Sequence, residues 1–310
     1  MGVRVFDHFV VSVVAAPLIV LLAMWLLADR VRPDLAARAF AWSAIVAAVS
    51  SALNLLSFAL KALAEIPAVA GVGEWSYQVV LDDTAHVPWV SWVSFAWTVY
   101  IVVAVIWQTR RHSRAMRSAY REAAGLDADD DVVIIPDRRV DAFALPGDPG
   151  RIVVTRGMRD ALDEVQYRAV IAHERAHLAH NHQRLVWLAR LAAVIHPALI
   201  LVARKVEFLV ERAADESAAR ELGDRGGVAR AIGLAALAAS ARPAAVSRPG
   251  PLTAVSAAPG VVPGRVKALL RPGQVRRWQI LVPAALALGT LIWTGECIYD
   301  LFELLALASY

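Results

Sequence analysis

The stretch FVVSVVAAPLIVLLAMWLLA, residues 9–28, runs for 20 residues without a charged side chain. A helix needs about 20 mainly apolar residues to cross the hydrocarbon core of a bilayer. The stretch is longer than the roughly 7–15 apolar residues of a cleavable signal peptide, and more arginine follows it than precedes it. It therefore predicts a transmembrane helix that the mature protein keeps.

Three further stretches, residues 39–60, 87–109 and 278–295, are uncharged and also long enough to span a bilayer. The chain of 310 residues is 58% hydrophobic and 19% charged, whereas ordinary soluble domains are about 45–50% apolar and about 25% charged. This composition excludes intrinsic disorder, and the single cysteine, Cys297, excludes an intrachain disulfide. The four stretches lack the ionisable groups that transporters place deep in the bilayer. We predict a mainly α integral membrane protein with four transmembrane helices.

The basic residues indicate the orientation, because arginine and lysine are enriched in cytoplasmic loops. They cluster after the first stretch, after the third and before the fourth: Arg30, Arg32, Arg38, Arg110, Arg111, Arg114, Arg117, Arg121, Arg265, Lys267, Arg271, Arg276 and Arg277. We therefore expect a multi-pass protein of a bacterial plasma membrane with both termini outside. Since these residues adjoin apolar stretches, direct binding to nucleic acid is not predicted.

This orientation divides the chain into three predicted parts. Residues 1–109 form a three-span membrane domain, and residues 110–278 form a cytoplasmic α+β domain inserted between spans three and four. Residues 279–310 form the last span and a short extracellular tail.

Short apolar runs at residues 132–135, 142–145 and 151–154 predict strands in the cytoplasmic domain. The last two flank Pro146-Gly147-Asp148-Pro149-Gly150, a turn cluster that predicts a β-hairpin.

Helices are predicted after the hairpin. Asp163 and Gln166 have the spacing of a capping box at a helix start, and a later helix over residues 208–222 should end at Gly223. Residues 185–203 are apolar but interrupted by charge, and we expect a helical excursion that packs on the domain or dips into the membrane and returns. Residues 242–264, rich in proline and glycine, should form a loop or lid.

The most informative string is His173-Glu174-Arg175-Ala176-His177. Positions i and i+4 share one face of a helix, so both imidazoles can reach one zinc ion. Glu174 then lies beside the metal, where it can take a proton from the attacking water and pass it to the leaving amine. The string predicts one zinc ion per chain and a hydrolytic active site.

A catalytic zinc site usually has three protein ligands, and Glu211 is the favoured third. Asp215, one helical turn later, can orient a ligating histidine through its second ring nitrogen. Three other residues remain alternatives for the third ligand: His180, Glu207 and Glu216. A fourth ligand such as His182 or Glu207 would instead indicate a structural zinc site.

The strings His173-Glu174-x-x-His177, Glu211-x-x-x-Asp215 and Asp141-Ala142-Phe143-Ala144-Leu145-Pro146-Gly147 resemble those of membrane-embedded gluzincin metallopeptidases. The order of three spans, zinc domain and one further span is most similar to the BlaR/MecR antirepressors. No Ser-x-x-Lys acylation string follows Gly295 in the sequence, so we do not expect the penicillin-binding sensor domain of that group. His182 and the small apolar residues around it resemble the related HtpX/CAAX-type proteases more closely.

The resemblance implies roles for further residues. The strand of Asp141, Ala142, Phe143 and Ala144 would be the edge along which an extended substrate lies, and Arg265 would be a catalytic residue near the metal. It also implies a zinc endopeptidase that cleaves a protein at the cytoplasmic face, with a winged-helix repressor as the expected substrate. Two alternatives stay open: an HtpX-like quality-control protease, and a catalytically idle zinc-bearing receptor or scaffold.

Overall fold

A computed structural model describes residues 2–124, 131–240, 261–271, 279 and 281–309. Within these ranges, four helical segments are long and apolar enough to cross a membrane: Phe6–Leu27, Pro33–Ala64, Pro88–Arg121 and Leu281–Ala308. They coincide with the four predicted stretches, so the prediction of a mainly α membrane protein is confirmed. Large apolar side chains on these helices are exposed, as lipid-facing residues would be, among them Leu22, Val103 and Ile292.

The candidate spans are built from the following helices. The first span joins α1 (Gly2–Val10), a π-helical segment (Val11–Ala15) and α2 (Ala16–Leu27). The second is α3 (Pro33–Ala64), and the third is α6 (Pro88–Ala124), with two short helices between them, α4 (Pro67–Gly73) and α5 (Tyr77–Thr84).

The last helix is longer than the uncharged stretch that predicted it. Instead of giving way to a tail after Gly295, the helix Leu281–Ala308 continues through three acidic residues. Leu304 and Ala308 are buried in an apolar cluster with Val80 of α5, and this packing holds the final turns in place. Composition alone did not show it, because charge interrupts the apolar pattern there.

A three-stranded sheet follows α6 in the chain. Its strands are β1 (Val132–Ile135), β2 (Ala142–Leu145) and β3 (Arg151–Thr155), in the order β1-β3-β2. β2 and β3 are antiparallel, which confirms the hairpin, and β1 adds to β3 in parallel. Ile152 and Val154 are fully buried against Ile171. The sheet therefore packs on the helix that carries the metal-binding motif and leaves β2 at an edge.

Among the described residues between the sheet and the last helix there are six α-helices: α7 (Arg156–Ala161), α8 (Glu164–Ala179), α9 (His182–Ile195), α10 (Ile200–Leu222), α11 (Arg225–Ser240) and α12 (Val261–Leu270). Both hydrogen bonds of the predicted capping box are present at the start of α8. The Asp163 side chain accepts from the Gln166 backbone N–H, and the Gln166 side chain accepts from the Asp163 backbone N–H. α10 ends at Gly223, as predicted, which has a φ of 68°. The prediction of a loop over residues 242–264 is wrong for residues 261–264, which form the first turn of α12. Residues 242–260 lie outside the described residues.

Helices α9 and α10 form a hairpin that runs along the membrane helices. A short turn (Pro197–Leu199) joins them, and both pack against α3. At the turn, His196 Nε2 lies 2.9 Å from the carbonyl oxygen of Val13, and towards the other end Arg212 contacts Asp29 at 3.1 Å. Arg212 lies 13 residues after Leu199, a distance of about 20 Å along the helix. The hairpin thus follows much of the first candidate span and returns, as a re-entrant excursion would.

Candidate metal centre and active-site cleft

Three side chains converge where α8 meets α10. His173 Nε2 and His177 Nε2 are 3.1 Å apart, and Glu211 places one carboxylate oxygen 3.5 Å from the first and the other 3.7 Å from the second. The two histidines meet because they are one turn apart on α8, and Glu211 reaches them because the hairpin returns α10 beside that helix. This is the group of three potential metal ligands found among the described residues.

The spacing of these atoms fits a zinc ion. Tetrahedral ligands at about 2.0–2.1 Å from zinc lie about 3.3 Å from one another, and the three distances bracket that value. Burial alone would lower the pKa of His173, but Asp215 and Glu211 outweigh it and raise the pKa to about 10. The surrounding carboxylates therefore favour positive charge at the position where a cation would bind.

Asp215 orients the first histidine. Its carboxylate oxygen Oδ1 lies 2.9 Å from His173 Nδ1, so the opposite ring nitrogen, Nε2, is directed at Glu211 and His177. Asp215 is only 1% exposed. A carboxylate in this position fixes the tautomer and the ring plane of a ligating histidine.

Arg265 holds the two carboxylates in place. Its Nε and Nη2 donate to the two oxygens of Asp215 at 2.8 and 2.6 Å, and its Nη1 lies 2.9 Å from Glu211. Burial works against the charged carboxylate of Glu211, but Arg265 and His173 outweigh it and hold the pKa of Glu211 far below its usual range. Because these contacts occupy the guanidinium, Arg265 lies behind the ligands rather than in the cleft, and its role here is that of a positioning residue.

His182 faces the second histidine. The Nδ1 atoms of His177 and His182 are 3.1 Å apart, and His182 is 2% exposed. Asn181 makes this possible, because its left-handed backbone (φ 52°) separates α8 from α9 and turns the chain back on itself. His182 therefore contacts His177 on the side away from Glu211 and does not join the three ligands.

Glu174 lies between the histidines and the edge strand. Its carboxylate accepts a hydrogen bond from the Ala144 N–H, and burial raises its pKa to about 7. A carboxyl group with a pKa near the working pH can both accept and return a proton efficiently.

The edge of β2 presents its backbone to the same cleft. The Thr155 N–H donates to the Asp141 carbonyl at 3.0 Å, and pairing alternates along an antiparallel ladder, so the polar groups of Ala142 and Ala144 point away from β3. The strand covers Ala142–Leu145, as the apolar run predicted, and Asp141 of the expected substrate edge directly precedes it. Asp141 receives the Ala142 N–H on its own carboxylate, and burial raises its pKa to about 6.

A cleft joins these groups. It is lined by three residues of β2, by the three ligands with Glu174, and by the α9–α10 hairpin: Ala142, Phe143, Ala144, His173, Glu174, His177, His182, Gln183, Val186, Arg190, Glu207, Val210 and Glu211. Sequence reasoning missed Gln183, whose amide nitrogen lies 3.3 Å from the Ala144 carbonyl, and Arg190. Sequence spacing could not have identified either residue, because the bend at Asn181 is what brings both of them to the cleft.

The structure gives the alternative ligands other partners. Glu207 pairs with Arg190, and Glu216 pairs with Arg225 at 2.6 Å. His180 caps the C-terminus of α8 and lies near His182, with 5.6 Å between the tilted rings' centroids.

Residues 107–248 match the family model of peptidase family M48. The match includes the sheet, the motif on α8 and the hairpin that carries Glu211. None of the curated proteins and none of the solved structures compared with the chain matches it. The match indicates a likeness to metallopeptidases over this part of the chain, and the three potential ligands are compatible with a zinc site.

Proposed function

Starting from this family match, we propose that the protein is a membrane-embedded zinc endopeptidase that cleaves an extended protein segment at the cytoplasmic face. The observation that carries the proposal is the single cleft shared by His173, His177, Glu211, Glu174 and the free edge of β2. A structural zinc site would need a fourth protein ligand. Among the described residues the cluster has three, which favours an enzyme over an idle scaffold.

The chain's own residues divide the work as follows. When bound, zinc would polarise the scissile carbonyl and lower the pKa of a water. The carboxylate of Glu174 takes the proton of the attacking water and later gives it to the leaving amine. Before substrate binds, the Ala144 N–H holds that carboxylate, and a substrate strand that pairs with the outward groups of Ala142 and Ala144 would displace this contact.

Cysteine labelling tests the orientation. In a Cys297→Ser background, Ala179→Cys and Arg220→Cys place exposed thiols on α8 and α10, and Glu74→Cys places one between the second and third spans. An impermeant maleimide should label only Glu74→Cys in intact cells and all three after permeabilisation. Labelling of Ala179→Cys and Arg220→Cys from opposite sides would contradict the hairpin, and labelling of both in intact cells would reverse the orientation.

We further propose regulated proteolysis, with a winged-helix transcriptional repressor as substrate. The support is the layout of three spans, zinc domain and last span. The M48 match and the position of His182 favour a second function, quality control of membrane proteins. Crosslinking the variant Glu174→Gln, which should be inactive, to its bound proteins in cells distinguishes these two functions. Capture of one DNA-binding protein supports the first, and capture of several unrelated membrane proteins supports the second.

A further inference from the structure

A second cavity, of about 240 Å³, lies among the first, second and fourth candidate spans and shares no lining residue with the active-site cleft. Its walls are mainly aliphatic, and none of its lining residues is charged. A charged ligand buried here would lack a counter-charge, which costs several kcal/mol. The cavity therefore favours an uncharged occupant.

Four polar atoms in the wall of this cavity lack a partner. They are Oγ of Ser50, Oγ of Ser51, Oδ1 of Asn54 and Nε1 of Trp293, which make no hydrogen bond within the described part of the chain. Ser50, Ser51 and Asn54 are between 1% and 3% exposed. Leaving a buried donor or acceptor unsatisfied is unfavourable, so this wall favours a ligand that both donates and accepts hydrogen bonds.

Two of these polar atoms, those of Asn54 and Trp293, lie at one end of the cavity, and those of Ser50 and Ser51 lie between that end and the level of Ala47. Asn54 Nδ2 donates to Ser12 Oγ, so these residues lie at one level of the helix bundle. Ser43 donates to the Pro283 carbonyl at 3.0 Å, which fixes a second level where α3 meets the last helix. α3 and the last helix run in the same direction. Asn54 follows Ser43 by nearly as many residues as Trp293 follows Pro283, so Trp293 lies close to the level of Asn54.

The other end of the cavity is apolar. Ile19, Ala47 and Leu286 line it, and Ile19 and Ala47 each lie seven residues from the level of Ser12 and Asn54. At 1.5 Å per residue, seven residues separate the two ends by about 10 Å. The cavity thus has the polarity pattern of a short amphiphile, with a hydrogen-bonding head and an aliphatic chain.

The polar end adjoins an irregular part of the first span. Ser12 lies in the π-helical segment Val11–Ala15, and π-helical turns are frequent at functional sites. In the same segment, the Val13 carbonyl contacts His196 at the turn of the α9–α10 hairpin. The cavity is therefore connected, through one turn of helix, to the hairpin that carries Glu211.

We propose that this cavity binds an uncharged, single-chain amphiphile with a hydroxyl head group, supplied from the bilayer. The hydroxyl donates to Asn54 Oδ1 and accepts from Trp293 Nε1, while the chain lies along Ile19 and Leu286. This assignment rests on the cavity alone and holds whether or not the zinc site is catalytic.

Photolabelling of the full-length protein in lipid nanodiscs tests the proposal. The probe is decanol carrying an aliphatic diazirine and an alkyne. We expect saturable labelling of peptides from the first, second and fourth spans that excess decanol abolishes and excess decanoate does not. Asn54→Leu should reduce saturable labelling about tenfold, the effect of one lost hydrogen bond. The control Ser57→Ala, whose hydroxyl bonds to the Leu53 carbonyl outside the cavity, should label like wild type.

If Asn54→Leu fails to fold, Trp293→Phe replaces it, because it removes the Nε1 donor and keeps an aromatic ring. Labelling that does not saturate, that covers the lipid-facing surface evenly, or that both variants leave unchanged would overturn the proposal. Equal competition by decanoate would overturn the requirement for an uncharged ligand.

Discussion

His182 Nδ1 lies 3.1 Å from His177 Nδ1, and both rings are buried. If His177 binds zinc through Nε2, its Nδ1 carries the proton and donates, so His182 must accept at Nδ1. Burial and the neighbouring histidine hold the pKa of His182 far below its usual value, which keeps it neutral and able to accept. A hydrogen-bond acceptor in this position orients the ligating ring.

The first prediction follows from that contact. His182→Leu removes the acceptor and should weaken zinc binding about 10–100-fold. His182→Asn places an amide oxygen near the position of Nδ1 and should restore most of the affinity. Competition with a fluorescent zinc chelator measures both values. Equal loss in the two variants would mean that His182 acts only through packing, and wild-type affinity in His182→Leu would remove its role altogether.

The second prediction concerns the third ligand. Glu211→Ala should lose zinc outright, because the two histidines leave the metal with only two of the three protein ligands of a catalytic site. Glu207→Ala is the matched control, one turn earlier on α10 and paired with Arg190 instead. Metal analysis of the two purified variants decides between them. Zinc retained in Glu211→Ala and lost in Glu207→Ala would show that the wrong glutamate has been chosen.

The motif on α8 and the identity of Glu211 and Asp215 as partners could be predicted from sequence, because i, i+4 spacing on a helix determines which side chains share a face. The strands and the capping box were predictable for a similar reason, since their signals are local. The roles of His182 and Gln183 were not, because they depend on the left-handed Asn181. The contacts of Arg265 depend on α12 packing beside α10, which no local pattern encodes.

A third prediction concerns the buried arginine. Arg265→Met leaves His173 as the remaining cation in contact with the two buried carboxylates of Asp215 and Glu211, and breaking a buried ion pair costs about 3–5 kcal/mol. Arg225→Met breaks a half-exposed pair with Glu216 and should cost about 0–1 kcal/mol. Thermal unfolding of the zinc-free proteins in one detergent compares the two. Similar melting temperatures for both variants would contradict the account of Arg265.

A fourth prediction concerns the edge strand. Ala144→Pro removes an outward N–H from β2 and should weaken peptide binding at least about tenfold while zinc content stays. Measuring peptide affinity in the Glu174→Ala background separates this effect from the contact between Ala144 and Glu174, because alanine has no side-chain acceptor.

The control for this prediction is Ile134→Pro on β1, the other edge of the sheet. The Ile152 N–H bonds the Asp131 carbonyl, so alternation along the strand turns the Ile134 N–H away from β3 as well. Ile134→Pro should leave peptide affinity unchanged. An equal loss of affinity in both variants, or loss of zinc from Ala144→Pro, would make the role of β2 purely structural.

The most direct test of a zinc endopeptidase is the purified Glu174→Gln variant, assayed for bound zinc and for cleavage of the substrate captured in cells. Glu174→Gln should keep one zinc ion per chain, since Glu174 is not among the three ligands, and should lose about 10²–10⁴-fold in cleavage rate. Glu164→Gln, the same change at an exposed position of α8, should match wild type in both measurements. Undiminished cleavage by Glu174→Gln with its zinc in place would contradict the account.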